Sequence, residues 1–296
     1  MTLTGITTSG SNYTVSVINR PSNLNVSESL LALNAEAAIK YIGEYLKWQG
    51  TLDIAVEFDT NSTAKTWVED GSSYVSHGGF ALDNNSGEAR TTAYIEATTG
   101  IDKISSKTSY DAGVWITPFI SDVLWKGWGN ETAVKVDNYN YSLDVEEKPT
   151  IANKGQSDFF GMMVHEIFHG LGLWGLSSPY YSPFDWNIVN NKAYISGTNI
   201  KKVLGTSVEW TNPDLGHYKS VPDKYNLMYE YSKPYRRQIT NLDLAILADY
   251  GHEIYKWAEK FVRLSANKTV VSEGESITIN IDTDHIVSGA NYNYTI

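Results

Sequence analysis

The chain has 296 residues, 42% hydrophobic and 19% charged, with a formal net charge of −11 and a pI near 5.0. That length and apolar content can bury a sizeable core. The acidic balance weighs against partners built on phosphate or anionic lipid, no apolar run is long enough to span a bilayer, and the absence of cysteine excludes a disulfide framework.

Residues 1–10 are small and polar and read as a loose lead-in. Alternation through 13–18, with Tyr13, Val15 and Val17 on one side, predicts a strand. Ser27 then caps a predicted helix whose stripe of Leu31, Ala35, Ala38, Ile42 and Leu46 runs to about Trp48, and Gln49-Gly50 ends it. Strands are expected at 52–58, near 91–98 (Thr92, Tyr94, Ile95) and at 112–118 (Val114, Trp115, Ile116). Residues 119–156 read as an irregular insertion holding Trp125 and Trp128. Its acidic run, Asp144-Val145-Glu146-Glu147, is either solvated surface or a Ca2+ site. A helix is predicted at 157–171, with Ser157 as N-cap and Asp158 complementing the dipole in the first turn. Phe160, Met163, Val164, Ile167 and Phe168 give it one apolar face, and Gly170 and Gly172 suit its exit.

On that helix stands His165-Glu166-Ile167-Phe168-His169. Residues four apart project from one side of a helix, so both imidazoles can grip one metal ion. They are expected opposite the apolar face, lining a cleft. Glu166 is then placed to act as general base on a zinc-bound water. The pattern arises by chance in about one chain of this length in a hundred, so its context matters. The bland alternative is a buried helix with two hydrogen-bonded core histidines.

Catalytic zinc usually takes three protein ligands. The six histidines are His77, His165, His169, His217, His252 and His285, and the position six residues after His169 is Gly175. His217, in Asp214-Leu215-Gly216-His217-Tyr218, is the leading third ligand. Glu209 and Glu230 are rivals of a kind that sits on a second helix, but Asn212-Pro213 marks a turn beside Glu209. His77 reads as a loop residue, His252 as a solvated helix-end residue, and His285 belongs to a separate C-terminal segment.

With the run from His165 to Gly172, His217 and Met228, the chain resembles the metzincin clan of zinc metallopeptidases. The long insertion between second and third His is similar to that of leishmanolysin-like enzymes, and the segment 239–251 is similar to the last helix of serralysin-like secreted bacterial peptidases. The resemblance covers roughly residues 11–255. It implies an α+β, two-lobed catalytic domain over 1–255. The upper lobe, about 11–172, would hold a mixed sheet, helices and the active-site helix. The lower lobe, about 173–255, would be irregular. It also implies one catalytic Zn2+, with Met228 beneath the metal without ligating it. Tyr229 and Tyr231 become candidates for stabilising the transition state, because some metzincins carry a Tyr two residues after the Met where this chain has Glu230. The alternative for both is packing in the lower lobe.

Residues 173–255 are rich in turn signals (Ser178-Pro179, Asn212-Pro213, Lys233-Pro234) and end in a helix opened by the capping pair Thr240 and Asp243. Beyond 255 the pattern changes. The alternation on either side of Gly274 within 269–281 resembles the opening strands of an Ig-like or Calx-β-like repeat, too short to complete a sandwich. Residues 256–296 are therefore expected to be a linker and an incomplete β segment of a longer multidomain chain.

The function expected is a zinc-dependent endopeptidase acting on protein or peptide substrate. It is expected to be monomeric, with no nucleic-acid partner and no membrane insertion. The resemblance implies an extracellular or cell-surface bacterial setting. The start Met1-Thr2-Leu3-Thr4-Gly5-Ile6 carries no Sec-type signal, and the glycine-rich calcium repeats of serralysin-like proteins are absent. The first alternative is a zinc-binding adhesin or surface module with a structural or degenerate site. The second is a zinc hydrolase of another class, acting on glycans or small esters.

Overall fold

In a computed structural model the chain opens with β1 (Thr7–Ser9), β2 (Tyr13–Ile18), α1 (Glu28–Gly43), β3 (Leu46–Lys47) and β4 (Leu52–Phe58). It continues through β5 (Ser73–His77), β6 (Phe80–Leu82), β7 (Ala89–Thr91), α2 (Thr92–Thr99), β8 (Ala112–Ile116), β9 (Tyr139–Asn140) and β10 (Ser157–Asp158) into α3 (Phe159–Gly170). Then come β11 (Asp185–Val189), β12 (Lys192–Ser196), α4 (Thr198–Leu204), β13 (Val208–Trp210), α5 (Asn241–Tyr250), β14 (Glu253–Ile254), β15 (Val262–Ala266) and β16 (Ile279–Thr283). The structure describes residues 7–18, 20, 22, 26–58, 73–77, 80–82, 89–103, 110–116, 139–140, 157–173, 185–190, 192–210, 217, 219, 226–228, 238–254, 256–257, 262–266 and 278–283.

The main sheet has the order β1-β2-β4-β8-β5. Its centre is parallel, β2 against β4 and β4 against β8, and both edges are antiparallel. Alternation put Val15 and Val17 into the core, as expected of 13–18, and 52–58 forms the strand its pattern predicts. Helix α1 is the crossover between β2 and β4 and packs on both β2 and α3. Ser27 caps it, its hydroxyl accepting the Leu30 N–H at 3.2 Å. The buried stripe holds Leu31, Ala35, Ala38 and Ile42, and each fully buried Leu or Ile contributes about 1.5–3 kcal/mol. The helix stops at Gly43 rather than near Trp48, because Leu46 and Lys47 leave the helical path to pair with Ile254 and Glu253 of β14.

Two expectations fail at element starts. The segment near 91–98 is a helix, not a strand. Thr91 accepts the Tyr94 N–H at 3.2 Å as N-cap, and Gly100, at φ 72°, closes the other end. The β-branched and aromatic composition suggested a strand, but capping at both ends outweighs that weak preference. Likewise, Ser157 and Asp158 are not cap and first turn of α3. They are extended as β10, paired in parallel with β9, and the helix starts at Phe159.

After α3, the stretch expected to be irregular contains an antiparallel sheet in the order β11-β12-β13 and the helix α4. Helix α5 begins with the capping box expected of Thr240 and Asp243. It packs on α4 and is buried over most of its circumference, from Leu242 to Leu247 and at Tyr250. The buried hydrophobics form one connected set from Tyr13 through α3 to Tyr250, including Ile195 and Trp210 of the second sheet. Beyond α5, β15 and β16 pair antiparallel, Val262 opposite Thr283. Residues 269–272 and Gly274, expected to supply strand and turn, lie outside the described residues, as do Trp125, Trp128 and the run 144–147. No helix among the described residues is long and apolar enough to cross a membrane.

Candidate metal centre

Helix α3 is buried on nearly all sides, with only Met162 partly open. The histidines expected on a separate cleft-lining face are therefore core residues as well. His165, Glu166 and His169 retain 9%, 8% and 4% of their exposure. Burying polar groups in this way costs free energy unless each finds a partner, and the partners of the two imidazoles define the site.

His165 Nδ1 lies 2.8 Å from the Leu227 carbonyl oxygen, and His169 Nδ1 lies 2.8 Å from that of Leu173. A carbonyl oxygen only accepts, so each Nδ1 carries the proton and donates. In a neutral ring this leaves Nε2 as a bare lone pair. The two Nε2 atoms face each other at 3.1 Å. His217, half-buried, brings its own Nε2 to 3.1 Å from that of His165, with the rings 5.1 Å apart and stacked. Two Zn–N bonds of about 2.05 Å at a tetrahedral angle would place nitrogens about 3.3 Å apart. Converging lone pairs repel until a proton or a cation lies between them. Three imidazole nitrogens are a donor set suited to zinc and to other late first-row metals, so the residues fit a metal ion on the donors' own geometry.

The groups that aim these rings come from two turns. At the end of α3, the Gly172 N–H bonds the His169 carbonyl at 3.0 Å and the Leu173 N–H bonds that of Phe168 at 3.2 Å. This is a Schellman exit with glycine at its positive-φ position, φ 122°. It turns the Leu173 carbonyl back toward His169. The second turn holds Leu227 and Met228. Met228 is fully buried and its N–H donates to Asp243 Oδ1 at 3.3 Å. Asp243 Oδ2 accepts from the Thr240 N–H at 2.8 Å and hydroxyl at 2.7 Å. One carboxylate thus starts α5 and anchors the turn whose carbonyl orients His165. From the sequence Asp243 is legible only as a cap. The two carbonyls carry no signal there, because every residue has one.

The other sequence candidates fall as follows. Glu166 is buried on α3 next to His165. Tyr229, Glu230, Tyr231 and His285 lie outside the described residues. His77 is the last residue of strand β5, opposite Ala112, and not in a loop. Glu209 sits on strand β13, not on a helix, and pairs with Lys192 at 3.0 Å. His252 is not solvated. It is buried, its Nε2 donates to the Leu171 carbonyl at 2.7 Å, and its ring meets Tyr94 edge-on at 5.0 Å. Burial holds its pKa down at about 4, from 6.5. The carbonyl opened by the exit from α3 needs a donor, and His252 is that donor. Comparison with models of protein families, with curated proteins and with solved structures finds no match to this chain.

Proposed function

We propose that the chain is a zinc-dependent endopeptidase in which His165, His169 and His217 hold the metal and Glu166 is the general base. The observation that carries this reading is the pair of Nδ1–H donors spent on the Leu227 and Leu173 carbonyls, which leaves His165 and His169 presenting lone pairs to each other at 3.1 Å. Among the described residues three protein nitrogens converge, the ligand count of catalytic and not of closed structural zinc sites. When bound, Zn2+ supplies a Lewis acid that polarises the scissile carbonyl and acidifies water.

The chain's own groups supply the proton traffic. Glu166 accepts a proton from the attacking water as the new carbon–oxygen bond forms, then returns it to the leaving amine nitrogen as the peptide bond breaks. Burial of Glu166 keeps that proton from bulk water. Among the described strands β5 pairs on one side only, with β8, and it packs near α3. An unpaired strand edge accepts an extended peptide by main-chain hydrogen bonds, which favours a protein substrate over a glycan or small ester. Action outside the cell belongs to the same proposal.

The test is proteolysis of an unfolded protein by the zinc-loaded chain beside Glu166→Gln. The variant should retain zinc and lose turnover by about 10²-fold or more. Zinc bound at unit stoichiometry with no cleavage of any protein by the parent would instead favour a structural zinc module.

A further inference from the structure

Leu171, Gly172 and Leu173 lead the chain out of α3 and aim His169, because the Leu173 carbonyl accepts its Nδ1–H at 2.8 Å. Gly172 is the soft joint of that turn. Glycine has the widest choice of backbone angles, so the peptide planes on either side keep their orientation only where they are tied down. The plane after Gly172 is tied by the Leu173 N–H, which donates to the Phe168 carbonyl at 3.2 Å. The plane before it is tied at both ends. The Gly172 N–H donates to the His169 carbonyl at 3.0 Å, and the Leu171 carbonyl accepts from His252 Nε2 at 2.7 Å.

The imidazole that makes this last tie is itself fixed. His252 follows α5 directly, and its N–H donates to the Leu247 carbonyl at 3.0 Å as that helix closes. Tyr94 of α2 meets the ring edge-on at 5.0 Å, and Tyr250 lies nearly parallel to it with centroids 6.4 Å apart. The two tyrosines touch each other at 4.9 Å, and the Arg90 guanidinium lies 4.5 Å from the Tyr250 ring centroid. Tyr250 also closes on Gly172, where a β-carbon would come within 2.1 Å of its ring. One buried aromatic group thus backs the whole exit turn. His252 is the member of it that donates to the turn's main chain, and its burial keeps bulk water from taking over as donor.

We propose that His252 is a positioning residue for the metal centre. By holding the Leu171 carbonyl it fixes the exit turn of α3, so that the Leu173 carbonyl stays on His169 Nδ1 and the Nε2 lone pair stays turned toward His165. Its consequence for metal binding rests on the reading of the three histidines as a zinc site. Groups that orient a ligating imidazole from behind change metal affinity by about 10–100-fold when removed.

Three variants of the full chain test this. His252→Phe keeps a ring and His252→Met keeps bulk, and both remove the donor; two are used so that one failing to fold still leaves the comparison. His252→Gln restores a donor. The first readout is exchange of the His169 Nδ1 proton, followed by NMR on the metal-free chain. The second is Zn2+ affinity, measured by competition with a chromophoric chelator. Phe and Met should speed the exchange by about tenfold or more and weaken Zn2+ by about 10–100-fold, and Gln should restore both. Parental exchange and parental zinc affinity in the donorless variants, even with a lowered Tm, would make His252 a structural residue only and overturn the proposal. A Gln variant as impaired as Phe and Met would overturn the hydrogen bond as the cause. A parent that takes up no Zn2+ but shows the expected exchange pattern would sink the metal reading and leave the positioning of His169 standing.

Discussion

At Gly172 three demands meet: a positive φ, contact with the Tyr250 ring where a β-carbon would sit, and the turn that presents the Leu173 carbonyl to His169. Gly172→Ala should therefore destabilise the fold by about 3 kcal/mol or more and also weaken zinc, read by thermal unfolding with and without metal. A purely conformational defect would lower stability and leave metal affinity alone. His252 gives a pH prediction. Its folded pKa lies below its ordinary value, so between about 6.5 and about 4 the unfolded chain is protonated while the folded chain is not. Stability should fall with pH through that window, and His252→Gln, which keeps a donor for Leu171, should flatten the fall in a Tm–pH profile. The HExxH spacing makes the meeting of His165 and His169 legible from the sequence, because helical geometry fixes where residues four apart point. His217, singled out for its place ahead of Met228, lies with them in one cluster. The role of His252 is not legible, because a histidine just past a helix reads the same whether it meets water or a carbonyl 81 positions away.

Between elements, local rules hold where the sequence carries both ends of an interaction. Thr240 and Asp243 cap α5 three residues apart and could be read directly. Helix α4 shows the opposite case. Its N-cap, Gly197, has no side chain to offer, and Asp249 of α5 accepts the N–H groups of Asn199 and Ile200 at 2.9 Å instead. A β-carbon on Gly197 would strike that carboxylate. Asp249→Ala should cost about 1–2 kcal/mol and release amide protection in α4 more than in α1, measurable by hydrogen exchange. Equal loss across both helices would show that the capping is not local. The same logic explains α2 and the start of α3. Thr91 and Gly100 were visible but competed with a strand-like composition. Ser157 was drawn into pairing with a strand 18 positions earlier, which nothing near it announces.

For the whole molecule, the proposed ligands bridge distant sequence: His217 lies 52 positions from His165, on chain that follows the second sheet. A metal held there cross-links α3 to that segment in the folded state and has no assembled site in the unfolded one. Chelation should lower the Tm by roughly 5–10 °C, with the loss restored by stoichiometric zinc. A Tm insensitive to chelation would mean that the cluster holds no ion. The connected core makes such a loss global, since Leu227 and Met228 belong to the same buried set as α3 and α5.

The Nδ1 atoms of the two buried imidazoles are held by oxygens of the main chain, at positions 173 and 227. Those positions can drift among apolar residues over long divergence without unlocking either ring. What the histidine cluster itself draws on is sparse: two histidines four apart on a helix, a glycine three residues past the second of them, a distant histidine, and an aspartate 15 positions beyond a buried methionine. Two descendants could preserve this centre atom for atom and share few other letters. Kinship would then be sought in the spacing of peptide carbonyls.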